Sequence, residues 1–274
     1  MKATKYVKRT ICAVLTAGLL AGCLTGCGQK EVVFEGPEDK SCMTYTIPKG
    51  TTKIGDGAFE GCENLTSIEI PKSVREIGEY AFAWCSGLTD IEIPGRVTKI
   101  GEGALGACES LTSVEIPDKV TEIEAYTFAQ CGNLQSVKIP DSVTVIGEQS
   151  FSLCTSLMSI EIPDSVTEIG LGAFFTCTSL TDIEIPDGVP EISSYTFSGC
   201  ENLTNVELPT SVTKIGENAF YGCTSLMSID IPANVTEIGP AAFGGCDSLT
   251  SIKVPQGLDI TYADIPDSAE IIYY

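Results

Sequence analysis

Cys154-Thr-Ser-Leu-Met-Ser-Ile-Glu-Ile-Pro-Asp-Ser-Val-Thr-Glu-Ile-Gly-Leu-Gly-Ala-Phe-Phe-Thr176 is one copy of a 23-residue unit that begins again at Cys177. Cysteine recurs at this interval nine times and proline ten times along the chain of 274 residues. Self-similarity at a short fixed period is typical of solenoids, in which each unit forms one coil and stacks on its neighbours. The repeat therefore predicts the fold before any count of domains.

The apolar positions of the unit predict two short extended segments and a turn in each coil. Residues 160–162, Ile-Glu-Ile, alternate, which predicts a main strand with both isoleucines inward and Glu161 outward. Pro163 has no amide proton and ends that strand. Residues 166–169 predict a second short strand, and residues 173–174 a brief helical turn that closes the coil. The predicted fold is a right-handed coil of short parallel β-strands.

The unit resembles the 23-residue leucine-rich repeats of BspA-like bacterial surface proteins. The matching pattern is Leu-x-x-Ile-x-Ile-Pro-x-x-Val-x-x-Ile-Gly-x-x-Ala-Phe-x-x-Cys, and it covers residues 42–257. The resemblance implies a leucine-rich-repeat solenoid of about nine to ten repeats, and a surface protein that acts in adhesion. The departures from the pattern are Leu105 for Phe, Glu124 and Ser193 for Gly, and Pro190 in the second strand. A perturbed backbone is expected near Pro190.

The N-terminus has the pattern of a bacterial export signal. Residues 2–9 are basic and residues 11–24 form an apolar run. This run ends in two consecutive sequences that resemble the lipobox of bacterial lipoproteins, Leu-Ala-Gly-Cys at Cys23 and Leu-Thr-Gly-Cys at Cys27. Cys27 is the favoured acylation site because polar residues follow it, and Cys23 is the alternative. We therefore expect residues 1–26 to be removed and the chain to be held outside the cytoplasm by a lipid.

The remaining chain divides by composition and pattern. Residues 27–41 are expected to form a flexible tether, residues 42–257 the solenoid and residues 258–274 a C-terminal cap. The end of this cap, residues 270–274, has the sequence of a closing strand, which would cover the open edge of a stacked sheet.

Charge and composition restrict the function. The chain has 37 acidic and 16 basic residues, a net charge of −21, and loss of residues 1–26 would take this to −25. Nucleic acid and anionic membrane surfaces are thereby disfavoured as main partners, and a neutral or basic partner is expected. The sequence contains no histidine, the side chain best suited to proton transfer near neutral pH. We expect no enzyme activity and no cofactor.

The recurrent cysteines are predicted to be buried free thiols. Equivalent residues of successive coils lie about 4.8 Å apart with parallel Cα–Cβ bonds, whereas a disulfide needs Cβ atoms about 3.8 Å apart that face each other. A linear ladder also does not converge on one point, so that no metal site is expected.

The outward position of the main strands forms a column that is mainly acidic. We call it the acidic column, and it consists of Glu69, Glu92, Glu115, Lys138, Glu161, Glu184, Glu207, Asp230 and Lys253. Five pairs of neighbouring carboxylates repel each other by at most about 0.9 kcal/mol per pair, and the two lysines make three attractive contacts. The column predicts a site for basic ligands or a weak cation site, and ordinary solvated surface charge is the alternative. A glycosidase with paired carboxylates is disfavoured, because nothing distinguishes one pair from the others.

Large aromatic residues outside the recurrent phenylalanine position are the other binding candidates. Tyr80 and Trp84 stand close together in sequence, and the remaining members are Tyr126, Phe175, Tyr195 and Tyr221. Exposed aromatic residues are enriched at binding hot spots, although each could simply cover the edge of its coil. We expect a module that binds a host or bacterial protein, or a glycan, through its concave face. The alternative is a structural spacer or a self-assembling surface-layer component.

Overall fold

The computed structural model describes residues 31–274, so the two lipobox cysteines lie outside the described residues. These residues form a parallel β-solenoid of about ten coils of about 23 residues. All strand pairs are parallel, and residues one repeat apart lie side by side, as Glu115 does with Lys138. The predicted leucine-rich-repeat solenoid is confirmed.

Most coils contain a main strand of three residues and a second strand of two. In chain order the strands are β1 Val33–Phe34, β2 Thr44–Thr46, β3 Lys53–Ile54, β4 Ser67–Glu69, β5 Glu76–Ile77, β6 Lys99–Ile100, β7 Ser113–Glu115, β8 Glu122–Ile123, β9 Ser136–Lys138, β10 Val145–Ile146, β11 Glu168–Ile169, β12 Asp182–Glu184, β13 Glu191–Ile192, β14 Asn205–Glu207, β15 Lys214–Ile215, β16 Ser228–Asp230, β17 Glu237–Ile238, β18 Ser251–Val254 and β19 Glu270–Tyr273. The strands are short because a proline or a turn follows each of them.

The main strands do not form one continuous sheet. They pair as β2–β4, β7–β9, β12–β14 and β16–β18–β19, and residues 91–93 and 160–162 are not in strands. The main strand predicted for residues 160–162 is therefore wrong as a paired strand. Its alternation is nevertheless present, because Ile160 and Ile162 are buried and Glu161 is exposed.

The second strands pair in three groups, and the two breaks fall where the sequence departs from its repeat. The groups are β1–β3–β5–β6, β8–β10–β11 and β13–β15–β17. A glycine follows most of these strands, and a Cβ on Gly147, for example, would lie 2.7 Å from the amide nitrogen of Ala125. Glu124 and Ser193 carry a side chain at this crowded position. The neighbouring coils cannot approach as closely there, so the ladder is interrupted.

The perturbation expected at Pro190 agrees with the second of these breaks. Pro190 has no amide proton to donate to the preceding coil, although its carbonyl still accepts from the amide of Thr213 at 2.9 Å. The hydroxyl of Ser193 donates to the carbonyl oxygen of Ile169 at 2.8 Å, which satisfies an acceptor that the broken ladder would otherwise leave open.

The segment that closes each coil is not helical, and the prediction of a helical turn at residues 173–174 is wrong. The described residues contain no helix. Alternate residues of this segment, such as Gly172, Phe174 and Thr176, donate their amides to carbonyls of the following coil at 2.7–3.0 Å. The first and last of these three have positive φ angles, 59° and 57°. The left-handed residues orient all three donors along the solenoid axis, and this turn ladder continues where the strand ladders stop.

The core is one continuous stack of apolar side chains along the solenoid. Its largest members are eight fully buried phenylalanines at equivalent positions, Phe59, Phe82, Phe128, Phe151, Phe174, Phe197, Phe220 and Phe243. Neighbouring rings stack with centroids 5.2–5.7 Å apart and planes inclined by 2–17°. Leu105 occupies this position in one coil and separates the ring stack into two.

The two ends of the solenoid are covered differently. Strand β1 pairs with β3, and Phe34 lies buried against Phe59 with ring centroids 5.5 Å apart. Residues 33–34 therefore belong to the solenoid, and the tether predicted for residues 27–41 is too long. At the other end, the expected closing strand is present as β19, paired with β18.

Candidate binding surfaces

The acidic column has the orientation that the sequence predicts. All of its glutamate and aspartate side chains, and Lys138 and Lys253, are on exposed residues. Since the flanking apolar residues of these segments are packed in the core, the charged side chains stand on the opposite side, in solvent.

Each of the two lysines in the acidic column forms an ion pair with only one neighbouring carboxylate. Lys138 donates to Glu115 at 2.5 Å, and Lys253 donates to Asp230 at 2.6 Å. The third attractive contact expected from the sequence, between Lys138 and Glu161, is absent, because the lysine is directed to the other neighbour. Because the Lys138 ammonium is bound closely to Glu115 in the preceding coil, it is held away from Glu161 in the following coil.

Glu161, Glu184 and Glu207 are consequently a run of three carboxylates without an ion pair in the described part of the chain. They line a shallow groove of about 490 Å³ together with Asp182 and Asn205. The groove is open to solvent and strongly negative. Its chemistry suits cationic side chains of a partner rather than an enclosed small molecule.

The N-terminal part of the same face has a different charge. A depression of about 940 Å³ near its first coils is lined by Lys49, Lys72 and Arg96 as well as by Glu69 and Glu92. The two N-terminal members of the acidic column thus share their depression with three cations, whereas the groove lined by Glu161, Glu184 and Glu207 contains none.

The second strands supply a contrast on another face. Lys53 forms an ion pair with Glu76 at 2.7 Å, and Lys214 lies 3.8 Å from Glu191 and 3.7 Å from Glu237. Lysine and glutamate alternate from Lys53 to Glu122 and from Glu191 to Glu237, as expected where solvated surface charge only has to avoid repulsion, and Glu168 beside Glu191 is the exception. The run of three unpaired glutamates is different from this arrangement.

The recurrent cysteines are free and buried in the described residues. From Cys85 onward, their thiols donate to the carbonyl at the recurrent phenylalanine position of the preceding coil, as Cys154 does to Phe128 and Cys131 to Leu105, both at 3.2 Å. Burial raises the pKa of Cys131 and of Cys200 to about 12. These side chains fill small spaces in the core and satisfy a buried acceptor, which agrees with the predicted structural role.

Three of the six candidate aromatic residues come together on the turn side of the coils. The rings of Tyr80 and Trp84 are inclined by 15° with centroids 6.4 Å apart, and Tyr126 lies two coils further on. With Gly103 and Ala107 they line a cleft of about 220 Å³, which we call the aromatic cleft. The other three, Phe175, Tyr195 and Tyr221, do not line this cleft.

Hydrogen bonds to glutamates fix the tyrosines of the aromatic cleft. The Tyr80 hydroxyl donates to Glu102 at 2.5 Å, and the Tyr126 hydroxyl donates to Glu148 at 3.0 Å. The bond to Glu102 and partial burial raise the pKa of Tyr80 to about 12. The bond to Glu148 likewise raises the pKa of Tyr126. Each phenol is therefore a neutral donor whose ring is held beside a carboxylate.

The backbone beneath the aromatic cleft is strained. Tyr80, Trp84 and Tyr126 have φ angles of 53°, 57° and 58°, in the left-handed region. Glycine occupies the equivalent position in other coils, as at Gly57 and Gly61. A side chain larger than glycine there costs on the order of 1 kcal/mol. Sequence reasoning missed this strain, although glycine at the same place in other repeats was a signal for positive φ.

Neither a membrane span nor a metal site is found in residues 31–274. None of these residues belongs to a helix long and apolar enough to cross a bilayer. No group of three or more cysteine, aspartate or glutamate side chains in this range is arranged to hold a metal ion.

Comparison with solved structures identifies bacterial leucine-rich-repeat proteins. A leucine-rich cell surface protein from Faecalibacterium prausnitzii A2-165 is 31% identical over 85% of this chain and 79% of its own, with a TM-score of 0.55. The T. pallidum leucine-rich-repeat protein TpLRR is 28% identical over 80% of this chain and 83% of its own, with a TM-score of 0.50. The pneumococcal vaccine antigen PcpA has the same fold at 21% identity, with a TM-score of 0.59 over 85% of this chain and 74% of its own.

The family is shown by the sequence itself. No curated protein matches the chain, but the family model described as "BspA type Leucine rich repeat region (6 copies)" matches residues 33–158 and 146–265. Proteins of this kind are typically found at the cell surface, generally serve as protein-interaction modules, and are typically non-enzymatic scaffolds. With both matches and the solenoid in agreement, this chain belongs to the BspA type leucine-rich-repeat family.

Proposed function

We propose that this protein is a lipid-anchored adhesion module of the bacterial surface that binds a partner protein with a basic surface through the acidic column. One observation carries the proposal: Glu161, Glu184 and Glu207 occupy successive coils and line one groove without an ion pair, whereas Glu115 and Asp230, on either side of this run, are each paired with a lysine.

Electrostatics supports a basic partner at this groove. Carboxylates one strand spacing apart, about 4.8 Å, repel each other by at most about 0.9 kcal/mol per pair in water. A lysine or arginine side chain placed between two of them would replace repulsion by two attractions. Since the groove is exposed, screening by salt should weaken this attraction markedly.

The proposal is tested by replacing Glu161, Glu184 and Glu207 together with glutamine. Glutamine keeps the size and hydrogen bonding of each side chain and removes three adjacent charges. A cationic probe protein, hen lysozyme for instance, should bind the unchanged chain in low salt, and the triple variant should bind it at least about tenfold more weakly. Surface plasmon resonance at several salt concentrations measures both the affinity and its salt dependence, which should be shallower in the variant.

A matched control removes three charges from another face. The triple change of Glu122, Glu168 and Glu237 to glutamine alters exposed residues of the second strands. This variant should keep the affinity and the salt dependence. Equal weakening by both triple variants would mean that net charge alone attracts the probe, and the proposed groove would be rejected.

Anchoring is the second part of the proposal. The lipobox at Cys27, with Cys23 as the alternative, supports acylation outside the cytoplasm, at a position that lies before the described residues. Mass spectrometry of the protein purified from bacterial membranes should find a mature N-terminus at one of these cysteines with bound acyl chains. An unmodified N-terminus elsewhere would reject the anchor.

Self-assembly is a second candidate function, and the final strand favours it. Every residue of β19 is exposed, including Ile271, Ile272 and Tyr273. A strand edge with exposed apolar side chains is a template for pairing with another chain. Sedimentation velocity over a range of protein concentrations should show concentration-dependent growth if this edge pairs copies, and a constant monomer if adhesion alone is the function.

A further inference from the structure

We propose that the aromatic cleft is a second binding site, separate from the acidic column, and that it takes the side chain of an arginine from a partner polypeptide. The cleft lies on the turn side of three successive coils, where Tyr80, Trp84 and Tyr126 surround a floor of small residues.

The floor and walls of the cleft are set by side-chain size. Tyr80 lies over Gly103, where a Cβ would collide with the tyrosine Cε1 atom. Ala107 occupies the place between Trp84 and Gln130 in the column of left-handed residues. Large rings on either side of small residues leave an apolar recess with aromatic walls, and half of the surface of Trp84 remains exposed at its edge.

Negative charge around the recess favours a cation. Glu102 and Glu148 bond to the two tyrosines through one carboxylate oxygen each, so that their second oxygens remain open to a further donor. Glu79 also acts electrostatically on Tyr80. The nearby Lys99 lies 4.0 Å from Glu124 and is directed toward that carboxylate. A cation over the electron-rich ring faces would be attracted both by the rings and by these carboxylates.

The shape of the cleft distinguishes arginine from other ligands. Its floor consists of Ala83, Gly106, Ala107 and Ala129, and the polar side-chain groups of its lining are the Gln130 amide, the Trp84 indole N–H and two tyrosine hydroxyls already bonded to glutamates, which are few for the several hydroxyls of a sugar. The guanidinium group is planar and stacks on aromatic faces, and its edge presents several donors, one of which the second oxygen of Glu102 or Glu148 would accept. Lysine has the charge but not the planar face. The volume of about 220 Å³ accommodates one such side chain.

The single tryptophan of the chain makes the site directly measurable. Trp84 is the only tryptophan in the sequence, so that the intrinsic fluorescence of the protein reports on the aromatic cleft. The probes are three blocked tripeptides, Gly-Arg-Gly, Gly-Lys-Gly and the same peptide with neutral citrulline at its centre. The arginine peptide should give a saturable fluorescence change with a Kd about two- to fivefold lower than the lysine peptide, and the citrulline peptide should give none.

The repeat itself supplies conservative variants for this test. Tyr126→Asn introduces the residue that occupies the equivalent position at Asn218, whose φ angle is 53°. It should raise the Kd of the arginine peptide about two- to fivefold by removing one ring. Tyr195→Asn is the matched control, because Tyr195 also has a positive φ angle and bonds to a glutamate, Glu217, but does not line the aromatic cleft.

Three outcomes would overturn the proposal. They are the absence of a saturable change with the arginine peptide, equal responses to the three peptides, and equal weakening by Tyr126→Asn and Tyr195→Asn. Far-ultraviolet circular dichroism checks that each variant is folded. Glu102→Gln keeps every ring and removes one charge, so it should also weaken the binding of the arginine peptide. The glutamine triple variant of the acidic column should respond to the arginine peptide like the unchanged chain, which separates this site from the proposed adhesion surface.

Discussion

Replacement of Phe151 by alanine tests whether the stack of phenylalanines holds the coils together. The ring is fully buried, with neighbouring rings 5.4 Å away at Phe128 and 5.5 Å away at Phe174. Removal of a buried phenylalanine side chain costs about 3–5 kcal/mol through lost transfer energy and the cavity that remains. Two stacking contacts, each worth about 0.5–1.5 kcal/mol, are lost in addition to the buried apolar area. We therefore expect Phe151→Ala to lower the free energy of unfolding by an amount near the upper end of about 3–5 kcal/mol.

The loss of stability should depend on the position of the ring in the stack. Phe243 stacks on one described ring only, that of Phe220, so Phe243→Ala should destabilise by about 0.5–1.5 kcal/mol less than Phe151→Ala. Phe175 is only partly buried and follows a ring of the stack, so Phe175→Ala should cost less than about 1 kcal/mol. Urea denaturation followed by circular dichroism measures the midpoint and slope of each transition. Equal midpoints for Phe151→Ala and Phe175→Ala would refute the assignment of the inward stack.

Three further predictions concern the other features of the core and the cleft. Leu105→Phe, which places the recurrent residue of the repeat between two rings, should stabilise by about 0.5–2 kcal/mol in the same denaturation assay, and destabilisation would show that this coil lacks room. The nine recurrent thiols should react with an alkylating reagent only after unfolding, because burial raises the pKa of Cys131 to about 12 and blocks access. Peptide mapping that finds fewer than nine alkylated cysteines from Cys62 to Cys246 after denaturation would indicate disulfides. The pKa of Tyr80 near 12 lies above its ordinary value of 10, so its bond to Glu102 stabilises the fold fully below pH 10 and is lost as the pH rises through about 12. In a spectrophotometric titration, Glu102→Gln should shift the ionisation of one tyrosine downward, and an unchanged curve would contradict the bond.

The fold could be predicted from the sequence because the repeat determines it at every level. Inward residues recur at the same place in each coil, so an incorrect inward assignment of one position would be repeated in every coil. The apolar positions assigned inward from the sequence are buried or packed against the core in the structure. Residues 160–162 illustrate the limit: alternation correctly places Ile160 and Ile162 inward, but it contains no information on whether the amides reach the next coil. Pairing depends on the approach of neighbouring backbones, which a period of apolar residues does not specify.

The prediction of a helical closing turn at residues 173–174 was wrong for a related reason. Short apolar and small residues such as Ala173 and Phe174 fit a helical turn by composition, but a helix would direct its amides along its own chain. In this solenoid the donors at Gly172, Phe174 and Thr176 serve the next coil, which requires left-handed residues on both sides of the phenylalanine. Recurrent glycines at these places indicated a positive φ angle, and the tyrosines that replace glycine in other coils obscured that indication.

The groove lined by Glu161, Glu184 and Glu207 lies across an interruption in the main-strand ladder, and this location has a physical meaning. It is lined by residues 160–162, which are not in a strand, and by residues of the paired strands β12 and β14. Beside this interruption, the amide of Thr181 donates to the carbonyl of Met158 at 3.0 Å, in addition to the turn ladder and the core contacts that join the two coils. Departures from an otherwise consistent repeat are expected where a protein has a task other than folding. A partner bound across such a break would contact two segments whose backbones are not tied by strand pairing, so its binding energy would depend on how readily those coils adjust.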